Sequence, residues 1–249
     1  MNNKQFSRLI MPLLASLLLT SPFAMADNHS PQMLAEMWVM TAKDGQAPSL
    51  MEAMKKYDAD SRKLDNPRDW HMYTPVFGNH LNMIAVRSFG FSWPDMDSYQ
   101  AWRTEHNMQQ KWNTDVHQFV ANYGHYLSVV DTENSHWGPE VKFRFVGVTN
   151  YKVKMGHWQA MEKDKKTLSD AAKAQKWPFN WEWAKSVSGE SMLMLAVPYE
   201  NWAAMAPPET TFTDVMTKHL GSEEEAKKVL ERWTSHFEKT SYDLWARVE

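Results

Sequence analysis

Cysteine is absent from the sequence. No disulfide can form, and neither a thiolate metal site nor a thiol nucleophile is possible, so side-chain packing must hold the fold together. A surplus of basic residues is also lacking, because the formal net charge is −3 at pH 7. Nucleic-acid-binding proteins usually carry a basic surface that neutralises phosphates, so we expect no nucleic-acid partner.

Long apolar runs are missing beyond the N-terminus. The run Leu9–Phe23 follows the basic residues Lys4 and Arg8 and is too short to cross a bilayer of about 30 Å as a helix. Small residues at positions 24 and 26 are typical of a cleavage site. Residues 1–26 are therefore predicted to be a signal peptide, with an uncleaved membrane anchor as the alternative. The mature chain would begin at Asp27, carry a net charge of −5 instead of −3 after loss of Lys4 and Arg8, and be periplasmic or secreted without membrane contact.

An internal repeat is the strongest signal that is present. The segment 69–86 (DWHMYTPVFGNHLNMIAV) aligns without a gap with the segment 180–197 (NWEWAKSVSGESMLMLAV). The matching pairs include Trp70 with Trp181, Gly78 with Gly189, and Val86 with Val197. Each copy has two runs that can alternate around a glycine-containing turn, which predicts a β-hairpin.

The flanking segments extend this symmetry. Each hairpin is preceded by a predicted strand and a helical segment, and followed by a second helical region and a closing strand. The order strand, helix, strand, strand, helix, strand therefore occurs twice. It predicts an α+β fold of two tandem ferredoxin-like βαββαβ units that form an intramolecular α+β barrel. The predicted domains are 27–131 and 140–249, with a linker at 132–139.

This organisation resembles the dimeric α+β barrel superfamily, in which two such sheets face each other around a cavity. The superfamily includes cofactor-free monooxygenases of the antibiotic-biosynthesis type, haem-degrading enzymes and chlorite dismutase-like haem proteins. The resemblance therefore implies haem or no cofactor at all. It brings no specific catalytic motif with it, so the catalytic residues are unassigned.

Alternation along the strands predicts which side chains face that cavity. We expect the face with Trp, Met and Arg residues to point inward, leaving Met37 and Val39 for the helices. The lining would suit an apolar ligand with a carboxylate, because aromatic faces stack on rings and guanidinium binds carboxylate. The alternative is that these side chains only fill a core. The predicted ligand-binding residues are Trp38, Trp70, Met83, Arg87, Arg144, Trp181, Trp183 and Met194.

Metal binding is predicted only at the new N-terminus. The ten histidines form no HExxH or similar signature. If cleavage follows Ala26, the terminus Asp27-Asn28-His29 offers an amine, two amides and an imidazole, a set that binds Cu(II) or Ni(II) in a square plane. A haem ligand would have to come from a single histidine, and the sequence does not distinguish among His71, His125, His157 and His219.

Three functional hypotheses follow. The leading one is an exported barrel that binds a small, apolar and anionic molecule. The second is a monooxygenase-like or haem-dependent enzyme that uses the same cavity. The third is a copper- or nickel-binding protein that uses its N-terminus. The sequence does not decide whether the barrel also self-associates.

Overall fold

The computed structural model describes residues 32–77, 81–187 and 189–248. The predicted signal peptide and the predicted metal ligands Asp27, Asn28 and His29 lie outside the described residues. Within these residues, no helix has the length and apolar character needed to cross a membrane.

The first half of the chain alternates strands and helices as predicted, with one helix more than expected. The second helical region, which the sequence predicts at 95–122, is divided into two helices and a short 3-10 turn at His117–Phe119, because Asn107 adopts a left-handed conformation (φ 52°) between the helices. The elements are β1 (Met33–Ala42), α1 (Ala47–Arg62), β2 (His71–Pro75), β3 (Met83–Phe91), α2 (Trp93–Glu105), α3 (Met108–Asp115) and β4 (Val120–His136).

The second half repeats this order. Its last two helices begin with side-chain caps, Thr211 in a capping box with Asp214 and Ser222 accepting from the Glu225 N–H, and Gly221 separates them with φ of 73°. The elements are β5 (Phe145–Val153), α4 (Trp158–Ala174), β6 (Trp181–Ser186), β7 (Met192–Tyr199), α5 (Phe212–Leu220), α6 (Glu223–Ser235) and β8 (Phe237–Arg247).

The eight strands form one closed antiparallel barrel in the order β1-β3-β2-β8-β5-β7-β6-β4. Each half contributes four adjacent strands, and the order within the halves is the same, β4-β1-β3-β2 and β8-β5-β7-β6. Two joints close the barrel, one between β2 and β8 and the other between β4 and β6. Strand β4 continues through residues 132–136, so the first part of the predicted linker belongs to the second joint.

The hairpin registers correct the predicted inward face. Met72 lies opposite Val86 and Trp183 opposite Leu195, whereas the prediction placed Met72 on the same face as Ala85 and Trp183 on the same face as Met194. This is a shift of one residue, and because side chains alternate along a strand, it moves every side chain of β2 and β6 to the other face. The predictions of Trp70, Trp181 and Trp183 as inward residues are therefore wrong.

Strand β1 was also assigned to the wrong face. Met37 lies opposite Arg87 and Val39 opposite Ala85, so these two residues of β1 point into the barrel. Trp38 packs in the cluster beneath the helices of the first half. Side chains of neighbouring residues on a strand point to opposite faces of the sheet, so Trp38 points away from the interior that Met37 and Val39 enter. The prediction that Trp38 faces the cavity between the sheets is therefore wrong.

The barrel interior is occupied by side chains from both halves. Tyr73, Ala85 and Val146 form a cluster with residues of β1, β5, β7 and β8, and no helical residue takes part. Arg87 of β3 and Glu182 of β6 form an ion pair of 2.5 Å, with side chains 23% and 12% exposed. Because β3 and β6 are not neighbours in the barrel, this contact crosses the interior and links the two halves.

We expect loss of one partner of this pair to destabilise the barrel. An Arg87→Met variant leaves the Glu182 carboxylate unpaired in a mostly buried place, and the free energy of unfolding in urea should fall by about 3 kcal/mol. Lys227→Met, which removes a partner from the exposed pair with Glu223, is the matched control and should cost below about 0.5 kcal/mol. Replacing both partners, Arg87→Met with Glu182→Leu, should recover most of the loss. Equal effects of Arg87→Met and Lys227→Met would contradict the proposed role of the pair.

Candidate functional site

The main candidate site is a pocket in the first half, between the outer face of the sheet and helices α1, α2 and α3. Its volume is about 350 Å³, which is within the range of small-molecule sites. Val86 and Met72 form part of its floor on the sheet side. Aromatic rings dominate the walls, and they come from strands and helices alike: Trp38, Tyr57, Trp70, Tyr99, Trp102, Trp112 and Tyr123.

The corresponding layer of the second half is filled with side chains. Trp183 and Trp181 are 4% and 6% exposed, and they pack with Trp233 and residues of α4, α5 and α6. In the internal repeat, Trp183 corresponds to Met72. The smaller, unbranched side chain of Met72 leaves space where the second half has an indole, and this difference contributes to the pocket.

Hydrogen bonds fix the orientation of the aromatic walls. The Trp102 indole donates to the Leu64 carbonyl at 2.8 Å, and the Trp112 indole donates to the Tyr123 hydroxyl at 3.1 Å. The Tyr57 hydroxyl donates to the Met108 carbonyl at 3.3 Å. Because these polar atoms already have partners, the ring faces offer a ligand mainly apolar, stacking contacts.

Burial affects the ionisation of two phenols of the pocket. It raises the pKa of Tyr57 to about 12, and it also raises the pKa of Tyr99. The charged groups Asp58 and Arg103 belong to the lining, and the Asp58 carboxylate is bound by Arg62 at 2.9 Å. The interior of the pocket is therefore mainly aromatic, with the Arg103 guanidinium and polar side chains such as Gln109 and Asn113 completing the wall.

A buried polar cluster supports Trp38 from the side. The Glu36 carboxylate accepts from the Trp38 indole at 3.2 Å, and it lies 2.8 Å from His125 Nε2 and 3.6 Å from Arg68 Nη1. Glu36 and Arg68 are 4% and 5% exposed, and the His125 ring stacks on Trp38 with a centroid distance of 3.7 Å. The cluster fixes the plane of the Trp38 ring.

The structure places the predicted ligand-binding residues in different parts of the molecule. Trp38 and Trp70 line the pocket, although it lies outside the barrel rather than between the sheets. Arg87 is engaged by Glu182 inside the barrel, and Arg144 is exposed just before β5. Met83 and Met194 are half-buried on β3 and β7, and Trp181 and Trp183 belong to the filled core.

Sequence reasoning missed the helical part of the site. Tyr57 on α1, Tyr99 and Trp102 on α2, and Trp112 on α3 all line the pocket. Tyr99 and Trp102 are three positions apart, a spacing that places two aromatic side chains on one helix face. That spacing was the available signal, but it is equally typical of core residues.

The pocket fits a haem poorly. Its lining contains one imidazole, that of His117, which is exposed and has its Nδ1 atom 2.9 Å from the Tyr123 hydroxyl. His71, His125, His157 and His219 are not part of the lining. In the described ranges, no group of three or more His, Asp or Glu residues is placed to hold a metal ion.

Comparison with known proteins defines the fold. No protein-family model and no curated protein sequence matches the chain. Among solved structures, a proposed monooxygenase from Lactobacillus acidophilus has a TM-score of 0.57 at 10% identity, over 87% of this chain and 94% of that one. The chain has the dimeric α+β barrel fold.

Two other proteins share this barrel. An anthrone oxidase-like protein has a TM-score of 0.52 at 11% identity, over 89% of this chain and 93% of that one. A variant of chlorite dismutase from Candidatus Nitrospira defluvii has a TM-score of 0.54 at 8% identity, over 87% of this chain and 92% of that one. These likenesses to the dimeric α+β barrel proteins concern the fold, because the sequences have diverged too far to transfer an activity.

Tyr57 should contribute to the loss of stability at alkaline pH. Its pKa is raised by burial from 10.0 to about 12, so the unfolded chain ionises this phenol first. The contribution of the neutral Tyr57 phenol to the free energy of unfolding is therefore complete below pH 10 and is lost as the pH rises towards 12. In urea unfolding between these two values, Tyr57→Phe should show a shallower fall of stability with pH than the unchanged protein. The exposed Tyr126 provides the control variant Tyr126→Phe, and identical slopes for the two variants would contradict the assignment.

Proposed function

We propose that this protein binds a flat, apolar aromatic molecule in the pocket of its first half. The observation that carries the proposal is the contrast between the halves, since the same layer is open and aromatic in the first half and filled in the second. An open, well-formed aromatic pocket beside a filled counterpart is the default location for a ligand in such a fold.

The shape of the pocket supports a ring system as the ligand. Seven aromatic side chains contribute to the walls, and a stacked ring pair contributes about 0.5 to 1.5 kcal/mol beyond the burial of area. The indole and phenol groups Trp102, Trp112 and Tyr57 are already bonded to protein atoms. A ligand that presents ring faces loses no hydrogen bond on entering, whereas a strongly polar ligand would lose its bonds to water.

We also infer the origin and location of the protein. The repeat around Trp70 and Trp181, with the same strand order in both halves, supports a tandem duplication of a ferredoxin-like unit. The pattern of residues 1–26 supports export, so that binding would take place in the periplasm or outside the cell.

Binding can be tested with N-phenyl-1-naphthylamine, a neutral aromatic probe whose fluorescence rises in apolar surroundings. Val86→Phe places a ring in the open pocket and should weaken probe binding by about tenfold or more, with little loss of stability because the space is free. Its repeat counterpart Val197→Phe is the matched control. It should overpack the filled core, reduce stability by about 1 to 3 kcal/mol and leave probe binding unchanged.

Other outcomes would contradict the proposal. If the probe does not bind the unchanged protein, or if Val86→Phe and Val197→Phe affect its binding equally, the pocket of the first half is not the binding site.

A second candidate function is an oxygen-dependent oxidation of an aromatic substrate in the same pocket. The observation that favours it is the shared fold with an anthrone oxidase-like protein and a proposed monooxygenase. Anthrone is a flat tricyclic molecule of the class that the pocket suits. Its oxidation to anthraquinone consumes one O₂ and releases one water, so no further reductant is needed.

This activity can be measured directly. Anthraquinone formation and O₂ consumption should be equal in amount, accelerated by the purified protein, and abolished by Val86→Phe but not by Val197→Phe. An absorbance spectrum recorded on the same sample shows whether haem is present. Rates equal to those of the buffer would contradict the enzyme hypothesis and leave the binding function.

A further inference from the structure

A second cavity adjoins the aromatic pocket. Its volume is about 440 Å³, and it lies where helix α1 and strand β2 meet the end of strand β8. Three residues, Asp58, Trp70 and Met72, line both this cavity and the aromatic pocket. A molecule stacked near Trp70 in the pocket therefore has the second cavity directly beside it.

The second cavity has a surplus of positive charge. Lys55, Arg62 and Arg247 contribute cationic groups, against the single carboxylate of Asp58. Arg62 is bound by Asp58 at 2.9 Å and by Asp69 at 3.0 Å, so this group of three has one negative charge in excess. Within the described ranges, Lys55 and Arg247 have no carboxylate partner in a salt bridge, so the five charged groups together have a net charge of +1.

His71 is held in one tautomer at the wall of this cavity. Arg247 donates to its Nδ1 atom at 3.0 Å, so the imidazole proton is on Nε2, which lies 3.4 Å from Asp69. Burial lowers the pKa of His71, and the positive charges of Arg247, Arg62 and Arg87 lower it further against the opposing effect of Asp69. The neighbouring arginines thus create a field that favours an anion over another cation.

Arg247 itself is placed to receive a ligand. Its guanidinium lies 5.2 Å from the centre of the Phe143 ring, and Phe143 also lines the cavity. One of its terminal nitrogens is used by His71, and a guanidinium has further N–H donors available for a carboxylate or sulfonate. Stacking on Phe143 limits the orientations of the group and reduces the entropy lost on binding.

We propose that the second cavity is an anion subsite, so that the preferred ligand is an aromatic acid with its ring in the aromatic pocket and its carboxylate or sulfonate at Arg247. This assignment rests on the proposed binding function of the aromatic pocket. It gives the ligand a definite chemical class.

The test compares two probes that share one skeleton. The dye 8-anilinonaphthalene-1-sulfonate differs from N-phenyl-1-naphthylamine only by its sulfonate. Arg247→Gln should raise the Kd of the sulfonate probe by about tenfold, as expected for loss of one hydrogen bond to a charged group, and should change the Kd of the neutral probe by less than about twofold. Lys218→Gln removes the same charge from the exposed end of helix α5 and should leave both Kd values unchanged.

A second variant keeps the test valid if Arg247→Gln does not fold. Lys55 is exposed on helix α1, and Lys55→Gln should weaken the sulfonate probe by about threefold while sparing the neutral one. If the neutral probe binds but neither variant separates the two probes, the anion subsite is refuted and the aromatic binding site stands. If the neutral probe fails to bind at all, the proposed function itself is refuted.

Discussion

Closure of the barrel is the constraint on which the rest of the structure depends. The two joints between β2 and β8 and between β4 and β6 leave no free sheet edge among the described strands, so strand side chains alternate between the barrel interior and the outer face, part of which the helices cover. Inside, Tyr73, Ala85 and their neighbours pack together, and Arg87 and Glu182 meet across the interior. Because the sequence contains no cysteine, this packing and pairing stabilise the fold without any disulfide.

The position of the candidate site follows from this closure. Because the interior is occupied by side chains of both halves, the aromatic pocket forms in the layer between the sheet and the helices. The two halves differ in how completely side chains fill this layer. Trp183 and Trp233 fill that layer in the second half, while Met72 leaves it open in the first.

Much of the fold could be predicted from the sequence. The match of Trp70 with Trp181 and of Val86 with Val197 indicated the repeat, and the repeat predicted the order of strands and helices. The register of the hairpins could not be predicted, because a shift of one residue in a turn costs little locally yet reverses the faces of Met72 and Trp183. Arg87 lies on the inward face, and the same shift of register places its partner Glu182 of β6 inside the barrel as well.

The site was less predictable than the fold. A pocket forms where side chains leave space between elements unfilled. That space becomes visible only when helices α1, α2 and α3 are placed over the sheet. Aromatic residues such as Tyr99 and Trp112 look the same in a sequence whether they fill a core or line a cavity.

The most direct test of the binding account is a crystal soaked with 1-bromonaphthalene, whose bromine is located by anomalous scattering. The account predicts a bromine peak between Trp70, Trp112 and the floor residue Val86. A peak inside the barrel, between Ala85 and Ala196, would contradict it and return the binding site to the space between the two sheets.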